Sequence, residues 1–175
     1  GSGFTHWQSR WEKKFGYERA ELGSWHQPSP KEWEDALSSA VSSAMKPVVL
    51  VGHSLGSLLI TRYLSNHKSN VAGAFLVAPT DIEECFVPEA AKRFSPIPRA
   101  RLPVPAVVVA TSSDPYLSMH RILEFSSAWA ASLCLLEKGG HLGGGDGLGD
   151  WNEGHELLST FIRNLPGTSQ YTFQP

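Results

Sequence analysis

Four short runs of apolar residues stand out along the chain, each bounded by glycine, proline or polar positions. They lie at 48–51, 72–77, 106–110 and 133–136. Continuous apolar runs of this length are typical of strands that are covered on both faces of a parallel sheet. A weaker strand is predicted at 18–22.

Between these runs, apolar residues recur at steps of three and four, which predicts helices. The clearest helix begins after Ser29, the predicted N-cap, with Pro30 at the first helical position and Glu32 completing a capping box. Its buried face comprises Trp33, Ala36, Leu37, Ala40, Val41 and Ala44. Further helices are predicted after Gly56, at 119–131 and at about 153–164. Strands that alternate with helices indicate an α/β fold.

The proline-rich segment 79–105 shows little periodicity apart from a possible helical turn at 88–92. A segment of this length over the carboxyl edge of a sheet is often a lid or a wall of a substrate site. A solvated connector is an equally good interpretation, since long loops are frequently only variable.

The strongest chemical motif is Gly52-His53-Ser54-Leu55-Gly56, which directly follows the first apolar run and opens a helix. A strand, a sharp turn and a helix are the context of a nucleophile elbow, which exposes a serine hydroxyl above the sheet. The N–H of Leu55 would then point at an oxyanion. The competing interpretation makes Ser54 only an N-cap.

A nucleophilic serine needs a histidine base. His141 lies in the glycine-rich loop 139–145, which follows the fourth apolar run and can hold an imidazole over the carboxyl edge of the sheet. The alternative is a surface histidine in a flexible loop.

The acid that orients the base is predicted to be Asp114, which follows the third apolar run. The 27 residues from Asp114 to His141 equal about one helix and one strand, so both emerge at the same edge. Asp81 is the main rival, followed by Asp146 and Asp150. The chain order Ser, Asp, His is that of α/β hydrolases.

Composition narrows the function classes. The 175 residues, 41% hydrophobic and 18% charged, suit a single domain spanning 1–175. A net charge of −2 without charge runs argues against nucleic-acid or membrane-surface binding. No apolar stretch is long enough to span a membrane. Two cysteines, Cys85 and Cys134, lack metal-like neighbours, and we expect a reduced, cytoplasmic protein that uses neither metal nor cofactor.

Four segments together resemble the small serine hydrolases similar to retinoblastoma-binding protein 9, in the α/β-hydrolase superfamily. They are 3–12, 49–56, 112–116 and the pair 139–141 and 147–151. The resemblance implies a three-layer α/β/α fold with a parallel sheet of five or six strands. It also implies Ser54 as nucleophile, Asp114 as acid and His141 as base.

Relatives in that family open with a strand and a glycine-rich loop, whereas this sequence begins at or after that loop. We therefore expect a missing first strand, located between 18–22 and 48–51, and an N-terminally truncated domain. The second oxyanion N–H would come from Gly1, Ser2 or a residue before them. A further departure is an extra glycine in 142–146.

Aromatic residues near the motifs have two interpretations. Trp7 and Trp11, one helical turn apart, are expected to pack the first helix against the sheet rather than to contact substrate. Candidate pocket residues are His53, Tyr116 and Trp151, the last because it follows the His141 loop.

The favoured function is a serine hydrolase that cleaves a small-molecule ester or amide through an acyl-enzyme. The alternative is a non-catalytic or weakly catalytic interaction module, since a fold alone does not assign activity. The sequence leaves the oligomeric state and the natural substrate open.

Overall fold

The computed structural model describes residues 2–67, 70–84 and 87–167. These residues form six helices and four strands, which alternate after the first helix. In chain order they are α1 Trp7–Phe15, α2 Pro30–Ser43, β1 Val48–His53, α3 Leu55–Asn66, β2 Val71–Val77, α4 Glu89–Lys92, β3 Ala106–Thr111, α5 Met119–Trp129, β4 Ser132–Leu136 and α6 Asn152–Arg163.

The four strands form one parallel sheet in the order β1-β2-β3-β4. Val51 pairs with Phe75, and Leu76 pairs with Val108. Because every strand runs in the same direction, the loops after β1, β2, β3 and β4 leave the sheet at one edge. Chemistry-bearing residues that follow different strands can therefore meet there.

Each face of the sheet has its own apolar core, as alternating side chains on a strand require. On one face, Leu50 and Leu76 pack with α2, α3 and α5. On the other, Phe75 and Val77 pack with Trp7, Trp11 and α6. The expected three-layer α/β/α arrangement is confirmed, and both tryptophans of α1 lie in the core rather than on the surface.

The strand count requires a correction. The described residues form four strands, not five or six, because 18–22 is not a strand. Its polar side chains serve another contact: Arg19 donates to Glu12 at 2.5 Å and to Ser9 at 2.9 Å, which ties this segment to α1. Within the described residues β1 pairs only with β2, and the expected strand beside it stays a prediction.

The helix predictions agree closely with the structure. Ser29 caps α2, its Oγ accepting from the N–H of Glu32, and α2 begins at Pro30. The described part of 79–105 contains the expected helical turn as α4 and is packed on the core through Ile82, Phe94 and Ile97, with exposed positions between them. Among the described residues, no helix combines the length and the apolar character needed to cross a membrane.

Candidate active site

The turn from β1 into α3 holds Ser54 in a strained conformation, with φ 56° and ψ −123°. Such a backbone is rare for a residue with a side chain, and it persists only where its surroundings enforce it. The N–H of Ser54 donates to the carbonyl oxygen of Val77 at 2.9 Å. The turn is therefore anchored to the end of β2.

Glycine is required at position 52 because strand and helix approach each other closely. A Cβ placed on Gly52 would lie 2.7 Å from the carbonyl carbon and oxygen of Gly56. The steric requirement therefore falls on the first glycine of the Gly-x-Ser-x-Gly motif, since a Cβ on Gly56 would meet nothing within 4 Å. The tight turn that Gly52 permits places the Ser54 hydroxyl over the carboxyl edge of the sheet.

His141 lies beside this hydroxyl. Its Nε2 is 2.8 Å from Ser54 Oγ, and its Nδ1 is 2.9 Å and 3.0 Å from the two carboxylate oxygens of Asp114. The three side chains predicted from the sequence, on loops after three different strands, thus form one continuous chain of hydrogen bonds.

The loop that carries His141 is held in place despite its glycines. Thr111 Oγ1 donates to the carbonyl oxygen of Gly140 at 2.5 Å, and Trp7 Nε1 donates to that of Leu142 at 2.8 Å. Asp146 accepts from the N–H of Gly143 at 2.7 Å. The loop is therefore anchored despite its additional glycine, and Asp146 hydrogen-bonds to the loop backbone rather than to the imidazole of His141.

Asp114 is positioned as the partner of His141, whereas Asp81 is not. The carboxylate of Asp114 is fully buried and also accepts from the N–H of Tyr116 at 2.8 Å. Asp81 is buried as well, but both of its oxygens accept from Arg121, at 2.5 Å and 2.9 Å. Asp150, the remaining rival, pairs with Arg10 at the surface.

Two further side chains contact this arrangement. Thr80 Oγ1 lies 2.6 Å from Ser54 Oγ, and His53 Nε2 lies 2.8 Å from the carbonyl oxygen of His141. Thr80 was not among the residues predicted from the sequence. The signal that could have found it is its position three residues after Val77, the last residue of β2.

The electrostatics of the histidines around the site follow from burial. His53 must donate through Nε2 to the carbonyl oxygen, and burial lowers the pKa of His53 to about 3. His6, whose ring centroid is 4.9 Å from that of His53, has its pKa lowered to about 4, mainly by burial and then by Arg19. Both rings are therefore neutral at pH 7.

The candidate pocket residues separate into different environments. The ring of Tyr116 meets that of His141 edge-on with centroids 4.8 Å apart, and Tyr116 is well exposed. Trp151 was expected to line the pocket, but it does not. It is 5% exposed and stacks on Trp11 in the core, because the bulk of the indole fills the space between α1 and α6.

The oxyanion candidates Leu55, Ser2 and Gly1 differ in position. Leu55 opens α3, whose first N–H groups have no partners within the helix. Ser2 lies beside α1, where its Oγ donates to Gln8 at 2.7 Å, and it forms no hydrogen bond with Ser54. Gly1 lies outside the described residues.

Metal coordination would need a different set of side chains. In the parts of the chain that the structure describes, no three or more His, Cys, Asp or Glu residues are grouped to hold a metal ion. What the arrangement can do is move a proton from Ser54 Oγ to His141 Nε2, while Asp114 holds the imidazole in the tautomer that accepts it.

Comparisons with known proteins address the family and the fold of the chain. A family described as serine hydrolase matches residues 1–160. A hydrolase from Pectobacterium atrosepticum described as YdeN-like shares 31% identity, with a TM-score of 0.81 over 91% of this chain and 84% of its own. The ydeN gene product of Bacillus subtilis shares 18% identity, with a TM-score of 0.71 over 91% of each chain.

A more distant similarity concerns the fold alone. Mouse alpha/beta hydrolase domain-containing protein 10 shares 17% identity, with a TM-score of 0.61 over 90% of this chain and 81% of its own. None of the curated proteins matches the chain.

Proposed function

Because the chain belongs to the serine hydrolase family, we propose that this α/β hydrolase cleaves small-molecule esters or amides with Ser54 as nucleophile. His141 is the general base and Asp114 the acid that orients it. The observation that carries this proposal is the pair of contacts made by the His141 ring, to Ser54 through Nε2 and to Asp114 through Nδ1.

These contacts define the protonation states of the resting site. A carboxylate only accepts, so Nδ1 of His141 carries a proton and donates it to Asp114. Nε2 is then bare and accepts from the hydroxyl of Ser54. This is the tautomer in which the imidazole can remove the serine proton.

In the acylation step, Ser54 Oγ attacks the substrate carbonyl carbon while its proton moves to Nε2 of His141. The carbonyl π electrons move to the oxygen, and the N–H of Leu55 is a donor for that negative charge. The imidazolium then protonates the leaving alcohol or amine as its bond to carbon breaks. An acyl-enzyme remains on Ser54.

Deacylation repeats the sequence with water. His141 removes a proton from the water molecule, whose oxygen attacks the acyl carbon. The bond from carbon to Ser54 Oγ then breaks, and the proton on Nε2 returns to Oγ. The products are a carboxylic acid and the resting enzyme.

A fluorophosphonate probe tests the proposal, because it phosphonylates an activated serine. We expect the probe to label the unaltered chain but not Ser54→Ala. Hydrolysis of p-nitrophenyl acetate should likewise be seen with the unaltered chain and be lost in Ser54→Ala. Ser57→Ala is a matched control, since Ser57 lies one turn along α3 and, among the described residues, its buried hydroxyl bonds only to backbone carbonyl groups.

The opposite result would favour the interaction module instead. If the folded, unaltered chain is neither labelled nor able to hydrolyse esters with acyl chains of two to eight carbons, the arrangement is not a working catalyst. Equal labelling of Ser54→Ala and the unaltered chain would remove Ser54 from the nucleophile role.

A further inference from the structure

Thr80 makes a contact that the proposed mechanism does not use. Its Oγ1 lies 2.6 Å from Ser54 Oγ, and Thr80 is 7% exposed. Within the described residues, this hydroxyl has no other hydrogen-bond partner. A buried hydroxyl that is left without an acceptor costs free energy, so the direction of this bond can be assigned.

The direction follows from counting protons. Ser54 has one hydroxyl proton, which it donates to the bare Nε2 of His141. Ser54 Oγ can then only accept from Thr80, so Thr80 is the donor. The nucleophilic oxygen is therefore held between two groups, one that takes its proton and one that donates to its lone pair.

Thr80 is itself held firmly, which makes this donor a fixed feature of the site. Just before it, the N–H of Ala78 donates to the carbonyl oxygen of Val109 at 2.8 Å. Just after it, the N–H of Asp81 donates to the carbonyl oxygen of Tyr116 at 3.0 Å, and the Asp81 carboxylate pairs with Arg121. The segment is thus anchored on both sides of Thr80.

We propose that Thr80 is a further catalytic residue, whose hydroxyl donates to Ser54 Oγ and stabilises negative charge on that oxygen. This inference rests on the proposed function. The charge develops twice: when Oγ gives its proton to His141 before bonding to carbon, and when the bond from carbon to Oγ breaks in deacylation. Thr80 keeps its own proton throughout.

The charge on Ser54 Oγ determines which kinetic constants the hydrogen bond from Thr80 changes. Once Oγ is an ester oxygen in the acyl-enzyme, it is a weak acceptor, so the hydrogen bond is strongest when Oγ carries charge. An interaction that strengthens in the transition state raises kcat rather than lowering KM. Thr80 should therefore act on kcat and on the rate of serine labelling.

The test compares Thr80→Val, which keeps the shape but removes the hydroxyl, with Thr80→Ser, which keeps the hydroxyl. We expect Thr80→Val to lower kcat for p-nitrophenyl acetate and the rate constant of fluorophosphonate labelling about tenfold, which corresponds to about 1.4 kcal/mol. KM should stay within about twofold, and Thr80→Ser within about threefold of the unaltered enzyme in both rates.

Thr61→Val is the matched control, because Thr61 is also a buried threonine, and in the part of the chain that the structure describes its hydroxyl makes one hydrogen bond, to the carbonyl oxygen of Leu58. It should leave both rates unchanged. Thermal unfolding accompanies each variant, and Thr80→Ala replaces Thr80→Val if the latter does not fold.

Several results would overturn the proposal. One is a Thr80→Val variant with more than half of the normal rates. Another is an equal loss in Thr80→Val and Thr80→Ser, since that would assign the effect to packing of the methyl group. An unaltered chain that the probe does not label would refute the proposed function, and the role of Thr80 with it.

Discussion

Lowering the pH from 7 to 5 should destabilise this protein through two histidines near the site, His6 and His53. Burial lowers the pKa of His53 to about 3 and that of His6 to about 4, whereas an unfolded chain has histidine pKa values of about 6.5. Between those values the unfolded chain binds protons that the folded chain does not. Stability is therefore lost as the pH falls below about 6.5, and the loss levels off at the folded pKa values.

The magnitude follows from linkage. One pKa unit corresponds to about 1.4 kcal/mol, so each histidine lowers the free energy of unfolding by about 2 kcal/mol at pH 5 relative to pH 7. The two together lower it by about 4 kcal/mol, which is a large part of the roughly 5 to 15 kcal/mol by which a domain is stable. Urea unfolding followed by tryptophan fluorescence at pH 5, 6 and 7 measures this loss.

The matched variants keep the hydrogen bonds but remove the titration. His53→Gln retains an N–H for the carbonyl oxygen of His141, and His6→Asn retains an acceptor for the N–H of Gln8 at the start of α1. Each should reduce the pH-dependent loss by about 2 kcal/mol. If the double variant loses as much stability between pH 7 and pH 5 as the unaltered chain, burial does not keep these rings neutral.

Three further predictions concern residues around the site. Asp114→Asn should lower kcat on the order of 10⁴-fold, as expected when the base loses the group that fixes its tautomer; a loss below about tenfold in ester turnover would refute that role. Asp81→Asn should keep most of the turnover but lower the unfolding free energy by about 2 kcal/mol, because it weakens the buried pair with Arg121; a loss of turnover as large as that of Asp114→Asn would contradict the assignment. Gly52→Ala should lower the unfolding free energy by about 1 to 3 kcal/mol and slow fluorophosphonate labelling, since its Cβ meets the backbone of Gly56; unchanged labelling and unfolding would show that the turn is not sterically tight.

Much of the fold can be predicted from the sequence because its signals are local. Each continuous apolar run became a strand of the parallel sheet, and the capping residues at Ser29 and Pro30 mark the start of α2. The weak signal at 18–22 failed because a strand exists only beside a partner strand, and in the structure Arg19 of this segment pairs with Glu12 of α1 instead. Strand pairing of a weak segment is decided by its neighbours.

Some residues of the candidate site could be predicted from the sequence, and others could not. Ser54, Asp114 and His141 could be proposed from sequence because each follows a strand, and parallel strands bring their carboxyl ends to one edge. Thr80 also follows a strand, but its contact with Ser54, like the burial of Trp151, could not be proposed, because both depend on which side chains meet across loops. Contacts between segments distant in the chain, and the loss of water around them, arise only when the tertiary structure forms.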